Sequence, residues 1–150
     1  MKKLFTILGV AFSVIIIGGI ITFGVLFYQG SGLDEESEAY VNNVTPIILT
    51  AMDKETLFTY ADQELIDSAS TEEFEKIFSW FRTLGQLQDY KGCTGQANIN
   101  LNETGKTITA YYEANASFEK GDAIIKVTSI KRGEEWKIYG FHINSTAFIQ

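Results

Sequence analysis

Residues 97–118 of the chain read ANINLNETGKTITAYYEANASF and contain its clearest structural pattern. Apolar and polar residues alternate on both sides of the loop NETGK, a period of two that is typical of β-strands with one buried face. The residues predicted to share that face are Ala97, Ile99, Leu101, Ile108, Ala110, Tyr112, Ala114, Ala116 and Phe118. A short loop containing glycine between two such segments predicts a β-hairpin.

Two further strands are expected after this hairpin. The loop EKGD leads into AIIKVTSI, residues 123–130, and the loop KRGEE leads into WKIYGFHINS, residues 136–145. Loops this short join neighbouring antiparallel strands. The sequence therefore predicts a four-stranded antiparallel meander.

The segment before the hairpin has the helical period instead. One predicted apolar face carries Tyr40, Val44, Ile47, Ile48 and Ala51. Pro46 lies within it, so this is either one kinked helix or two pieces, with Thr45 as cap and Pro46 as the first helical residue. Residues 54–61 predict a second, short helix.

A third helix has the clearest boundaries. Ser70 and Glu73 have the spacing of a capping box, and Gly85 can end the helix. Between them runs an apolar stripe of Phe74, Ile77, Phe78, Phe81 and Leu84. A stripe this rich in phenylalanine is typical of a hydrophobic core.

Residues 4–28 contain no charged side chain and are long enough to cross a bilayer, for which about 20 apolar residues suffice. A cleaved signal peptide is the alternative, but its apolar region is usually only about 7–15 residues. Lys2 and Lys3 precede the span and Asp34 follows it, which predicts an N-terminus in the cytoplasm. We expect a single-pass inner (cytoplasmic) membrane protein whose C-terminal domain is periplasmic or extracellular.

The predicted organisation is therefore an anchor at 1–29, a linker at 30–38 and one domain at 39–150. Its fold class is α+β: three N-terminal helices packed on a curved four-stranded antiparallel meander, in a cone-like roll. Gly9 with Ser13, and Gly18 with Thr22, have the small-xxx-small spacing that can bring two spans together as a homodimer.

Charge and cysteine content exclude several classes of function. The 150 residues carry a net charge of −7, and all 19 acidic residues follow the predicted span. Nucleic-acid binding needs the opposite sign, so we expect no nucleic-acid partner. Cys93 is the single cysteine, so the chain forms no internal disulfide and no cysteine-rich metal site. No feature points to a cofactor.

The order of three helices and a meander closing on WKIYGF resembles the nuclear transport factor 2-like (cystatin-like) superfamily, and in particular its small anchored bacterial members. The resemblance covers about residues 35–150 and rests on Gly121, Asp122, Trp136, Ile138, Gly140 and Phe141, with the helix 71–84. It implies a concave cavity between sheet and helices. Such a cavity can hold a substrate, bind a ligand without chemistry, or be filled in and serve only for assembly.

Three functions are compatible with this interpretation. The preferred one is a non-catalytic domain that binds a small apolar ligand or an envelope protein partner, with Trp80, Tyr112, Trp136, Phe141 and His142 as candidate cavity residues. A cavity enzyme of the ketosteroid isomerase or dehydratase type would use His142 as base and Tyr111, Tyr112 or Tyr139 as donors. The third is an accessory subunit similar to the anchored subunits of type IV secretion systems.

His142 is the single histidine, so its position matters most for the enzyme hypothesis. Strict alternation places it with Trp136, Ile138 and Gly140, and both faces of this strand are largely apolar. The strand is then either covered on both sides, or bulged at Gly140 so that the alternation slips. Either arrangement predicts a partly buried, structural imidazole without a catalytic role.

Overall fold

The computed structural model describes residues 32–149, and its fold is that of the compact unit Asp34–Gln150. The predicted membrane span, residues 4–28, lies outside the described residues. Among residues 32–149, no helix is long and apolar enough to cross a membrane.

The described chain is α+β, with helices first and a sheet second, as predicted. Helix α1 includes residues 32–51. It is followed by α2 (Lys54–Tyr60), α3 (Gln63–Asp67) and α4 (Thr71–Phe81). A 3-10 turn, Arg82–Leu84, extends α4. Four α-helices therefore replace the predicted three, because the short helix α3 has no apolar stripe that the sequence could reveal.

Residues 32–38 of the predicted linker are helical and belong to α1. Ser37 is buried, and its hydroxyl lies 2.9 Å from that of Tyr112 in the sheet. Helix α1 runs through Pro46 without a break. Its buried face carries Val41, Val44, Ile48 and Leu49, while Ile47 and Ala51 of the predicted stripe are exposed.

Helix α4 confirms the capping box. The Ser70 hydroxyl accepts from the N–H of Glu73, and the Glu73 carboxylate accepts from the N–H of Ser70. Phe74, Phe78, Phe81 and Leu84 of the predicted stripe are buried, whereas Ile77 is 42% exposed. Gly85 ends this segment with φ of 80°, a conformation that favours glycine.

The sheet has the order β1-β2-β3-β4 and is antiparallel throughout. Its strands are β1 (Leu87–Asn102), β2 (Gly105–Phe118), β3 (Gly121–Arg132) and β4 (Glu135–Asn144), followed by a 3-10 turn at Thr146–Ile149. The meander is therefore confirmed, and β1 and β4 are its two edges.

One face of the sheet is buried beneath the helices. On β2 this face carries Ala110, Tyr112, Ala114, Ala116 and Phe118, none of which is more than 5% exposed. Ile125 and Val127 of β3 continue it. The alternation of residues 108–118 thus predicted the core face correctly from Ala110 onward.

Candidate functional site

The five candidate cavity residues do not line a common site in the described structure. Tyr112 lies in the core, and Trp136 is buried at the start of β4, next to the β3–β4 turn. Trp80 is 53% exposed on α4, where its ring stacks on Phe148 with 4.4 Å between centroids. Phe141 is half-buried and His142 is exposed.

Tyr112 is fully buried, and both hydrogen-bonding capacities of its hydroxyl are used. The group donates to the carbonyl oxygen of Asp34 at 3.0 Å and lies 2.9 Å from the hydroxyl of Ser37. Burial raises the pKa of Tyr112. Because α1 saturates this hydroxyl, Tyr112 holds the helix on the sheet and presents no donor to a ligand.

Trp136 borders an open cleft of about 410 Å³, which Tyr40, Tyr60 and Lys137 also line. The ammonium group of Lys131 lies 5.7 Å from the centre of the indole ring and also pairs with Glu36 at 2.6 Å. That ion pair lowers the pKa of Glu36. Burial raises the pKa of Tyr40 to about 12, so its phenol stays neutral.

A β-bulge explains the position of His142. Gly140 pairs with Thr128 and Ile138 with Ser129, so Tyr139 is an extra residue in β4. Beyond the bulge, Phe141 and Ile143 pair with the buried Val127 and Ile125, and His142 turns outward opposite Lys126. The slip at Gly140 is confirmed, but the expected partial burial of His142 is wrong, because the slip moves it to the solvent face.

Most carboxylates that could serve as a base are already engaged. Glu113 accepts from the hydroxyl of Tyr111 at 2.9 Å and lies 3.6 Å from the ammonium group of Lys126. Asp62 makes two contacts with the guanidinium of Arg132, at 2.9 and 3.1 Å, which hold the pKa of Asp62 below its usual range. Among residues 32–149, no group of three or more histidine, cysteine or acidic residues could hold a metal ion.

Cys93 is a buried free thiol at the start of the regular part of β1. Burial, with a smaller contribution from Glu38, raises its pKa to about 11. A thiol with so high a pKa is a poor nucleophile at neutral pH. These surroundings favour a packing role for the thiol.

An open cleft that the sequence did not predict lies at the β2–β3 hairpin end. It has a volume of about 460 Å³ and is lined by Lys91, Asn115, Asp122 and Asn144, among others. Asp122 is held by the hydroxyl of Ser117 at 2.6 Å. These residues are far apart in the sequence and belong to no motif, so only the strand register brings them together.

The most distinctive surface is the free edge of β1. Helix α1 covers the first part of this edge: Asn42 accepts from the N–H of Cys93 at 3.1 Å, and Asp34 accepts from the N–H of Ala97 at 2.6 Å. These two N–H groups therefore point away from β2. Because N–H direction alternates along a strand, those of Ile99 and Leu101 point the same way.

Beyond Ala97 the edge has no cover within the described chain. Across residues 32–149, no partner is found for the N–H and carbonyl groups of Ile99 and Leu101 that point away from β2. The side chain of Leu101 is 79% exposed. We refer to residues 98–102, with the sequence NINLN, as the open edge.

The open edge also lacks the features that usually prevent strands from pairing with other chains. Residues 92–102 contain no charged residue and no proline, and the register runs without a bulge from Cys93 to Asn102. Lysine, proline and bulges are the usual means of blocking an edge. The alternation of asparagine with isoleucine and leucine was visible in the sequence, but nothing there showed that this segment would be uncovered.

The opposite edge, on β4, is interrupted. Ala61 forms a parallel bridge with Ile138, whose carbonyl oxygen accepts from the N–H of Asp62 at 2.7 Å. The bulge at Tyr139 follows directly, and Lys137 and Glu135 place charges before it. The two edges of the sheet thus differ: among the described residues, β1 has the longer segment without a bulge or a charged side chain, residues 93–102.

Comparison of the chain with protein-family models, with curated proteins and with solved structures finds no match.

Proposed function

We propose that this chain is a membrane-anchored, extracytoplasmic, non-catalytic binding or assembly domain, and that its partner adds a strand to the open edge. The observation that carries the proposal is the run of outward backbone groups on Ile99 and Leu101 that have no partner among residues 32–149, next to the exposed side chain of Leu101. Anchoring is through residues 4–28, with the N-terminus in the cytoplasm.

Strand addition fits the chemistry of this edge. In this mode the main-chain hydrogen bonds supply affinity and alternate side chains supply specificity. Each backbone hydrogen bond contributes about 1 kcal/mol net, so two to four of them form a modest contact. The side chains of Ile99, Leu101 and Ile108 lie on one face and add apolar area.

The surroundings of the candidate catalytic groups argue against a cavity enzyme of the isomerase or dehydratase type. Two of its proposed donors, Tyr111 and Tyr139, already donate to the carboxylates of Glu113 and Glu64, each at 2.9 Å. The proposed base, His142, lies on the exposed face, whereas the third donor, Tyr112, lies on the buried face and is saturated by α1. A base and an oxyanion donor must reach the same substrate atoms. Residues on opposite faces of a sheet do not meet that condition.

The resemblance to the nuclear transport factor 2-like superfamily remains part of the proposal. The order of helices followed by a four-stranded meander supports it. Within that superfamily, a domain with a filled interior is compatible with assembly. An accessory subunit of a secretion-type envelope complex is one such role.

The experiment compares two lysine substitutions in the full-length chain. Leu101→Lys places a charge on the open edge, whereas Ile124→Lys places one at an exposed apolar position on β3, 44% exposed. After extraction with mild detergent, we expect wild type and Ile124→Lys to migrate as an assembly, and Leu101→Lys as the isolated chain. An assembly of unchanged size in Leu101→Lys would contradict the proposal.

The anchoring is tested separately. A C-terminal reporter that is active only outside the cytoplasm should be active, and the chain should resist extraction from membranes by alkaline carbonate. A reporter active only in the cytoplasm, or a mature chain that begins after Tyr28, would contradict an uncleaved anchor.

A further inference from the structure

The open edge is self-complementary, and we infer that its partner is a second copy of this chain. This inference rests on the proposed function and names the partner of the same site. It follows from the class pattern of NINLN, which is the same when read in either direction: polar, apolar, polar, apolar, polar.

An antiparallel pair related by a two-fold axis through Asn100 brings like against like. Ile99 of one copy lies opposite Leu101 of the other, Asn98 lies opposite Asn102, and Asn100 meets its own counterpart. Isologous contacts of this kind pair residue i with j and j with i, and they close as a dimer. Apolar pairs then share one face and asparagine pairs share the other.

The hydrogen-bond directions agree with this register. Ile99 and Leu101 both direct their N–H and carbonyl groups away from β2, so each can exchange two bonds with its opposite residue in the second copy. Asn100, whose backbone groups are already directed at β2, falls on the axis as the non-hydrogen-bonded pair. The two four-stranded sheets would continue as one sheet of eight strands.

Electrostatic repulsion favours pairing at this uncharged segment and limits the length of the contact. Two copies of a chain with a net charge of −7 repel each other, so pairing is favoured where neither copy is charged. The register places Glu103 of one copy opposite Ala97 of the other, whose N–H is held by Asp34. Carboxylates therefore meet at both ends and confine the contact to the open edge.

A contact of five residues is small and belongs to the size class of weak, transient interfaces. Attachment of both copies to one membrane raises their effective concentration and allows such a contact to form. The test therefore traps the pair covalently in the full-length, membrane-inserted chain.

The test uses single cysteines in a Cys93→Ala background. In the predicted dimer the two Asn100→Cys residues lie opposite each other with about 4.5 Å between Cα atoms, which suits a disulfide. Asn98→Cys is the matched control, because Asn98 is also exposed and lies on the same face of the strand. Asn98 of one copy lies opposite Asn102 of the second copy. The Asn98 of that second copy is four residues away, about 14 Å along the strand.

We expect a disulfide-linked dimer for Asn100→Cys in at least about tenfold greater yield than for Asn98→Cys. A mixture of Asn98→Cys and Asn102→Cys chains should also cross-link, which gives a second reading if the Asn100 variant folds poorly. Leu101→Pro, which removes an outward N–H and the exposed leucine side chain but no hydrogen bond to β2, should abolish the cross-link at position 100.

Equal yields at positions 98 and 100, or no cross-link at position 100 and none in the mixture, would overturn the inference. If the cross-links are absent while Leu101→Lys still reduces the size of the assembly, the partner is an extended segment of a different protein. In that case the proposed function is retained, and the inference that the partner is a second copy of this chain is wrong. If Leu101→Lys changes nothing either, both fail.

Discussion

The carboxylate of Asp34 accepts a hydrogen bond from the backbone N–H of Ala97, with 2.6 Å between the two atoms. This contact fixes the first described turns of α1 against β1 and marks where the cover of that strand ends. On one side of it, Asn42 and Asp34 accept from the outward N–H groups of Cys93 and Ala97. On the other side the open edge begins.

The first prediction concerns this contact. Asp34→Ala removes the acceptor and leaves the N–H of Ala97 unpaired, so we expect the free energy of unfolding to fall by about 1–3 kcal/mol. Urea denaturation followed by tryptophan fluorescence measures the change. Asp34→Asn keeps an acceptor of the same shape and should cost clearly less; an equal loss in both variants would mean that the hydrogen bond itself contributes little.

The second prediction concerns pH. Hydrogen bonding to Arg132 lowers the pKa of Asp62 below its ordinary value of 3.8, so the folded state favours the ionised carboxylate. This stabilisation is complete above the ordinary pKa and is lost as the pH falls through the lowered one. Asp62→Asn should therefore cost about 2 kcal/mol near neutral pH, and less as the pH falls below about 4.

The measurement is denaturant unfolding of wild type and Asp62→Asn at several pH values. Glu64→Gln is the control, because Glu64 also contacts Arg132 but its side chain is 61% exposed. An exposed pair contributes little, so its loss should be small at every pH. A difference between wild type and Asp62→Asn that stays constant down to the acid transition would contradict the assignment.

The third prediction contrasts two strand glycines. A Cβ placed at Gly95 would overlap the carbonyl oxygen of Tyr111 and crowd the Cα of Tyr112, both backbone atoms that move only with β2. A Cβ at Gly140 would lie 3.4 Å from the side chain of Thr128, which needs only a slight adjustment. Gly95→Ala should cost about 1–3 kcal/mol and Gly140→Ala less than about 1.

Thermal unfolding of both glycine variants decides this point. Equal melting temperatures for the two would show that β1 and β2 are not so closely paired at Gly95.

The fourth prediction concerns His142. Because the bulge at Tyr139 moves the imidazole to the exposed face, His142→Gln should change the free energy of unfolding by no more than about 0.5 kcal/mol. Ile143→Ala, its buried neighbour, is the contrast and should cost about 2–5 kcal/mol. A large loss for His142→Gln would indicate a partner for the ring outside the described chain.

Local patterns predicted most of the fold. The period of two over residues 108–118 and the capping box at Ser70 each depend on neighbours in sequence, and both are confirmed. The position of His142 depended on one extra residue in β4, which moves every later side chain to the other face. The sequence suggested that slip as one of two alternatives, and the pairing with β3 decides between them.

The candidate site was harder to predict, because it exists only where no described helix covers the edge of β1. The alternation of polar and apolar residues at 98–102 is typical of any half-buried strand. It therefore predicted that Leu101 would lie on the buried face. Its exposure results from where α1 contacts β1, at Asp34 and Asn42, and no local pattern encodes that contact. The aromatic residues chosen as cavity candidates were plausible by type, but the fold separates them.

Residue-resolved amide hydrogen exchange of the full-length chain shows whether a partner strand pairs with the open edge. The N–H groups of Ile99 and Leu101 should exchange rapidly in dilute, isolated chains and at least about tenfold more slowly in the membrane-bound assembly. Those of Asn98 and Asn100 already bond to β2 and should change little. If Ile99 and Leu101 exchange as fast in the assembly as in the isolated chain, no strand adds to the open edge and the account is wrong.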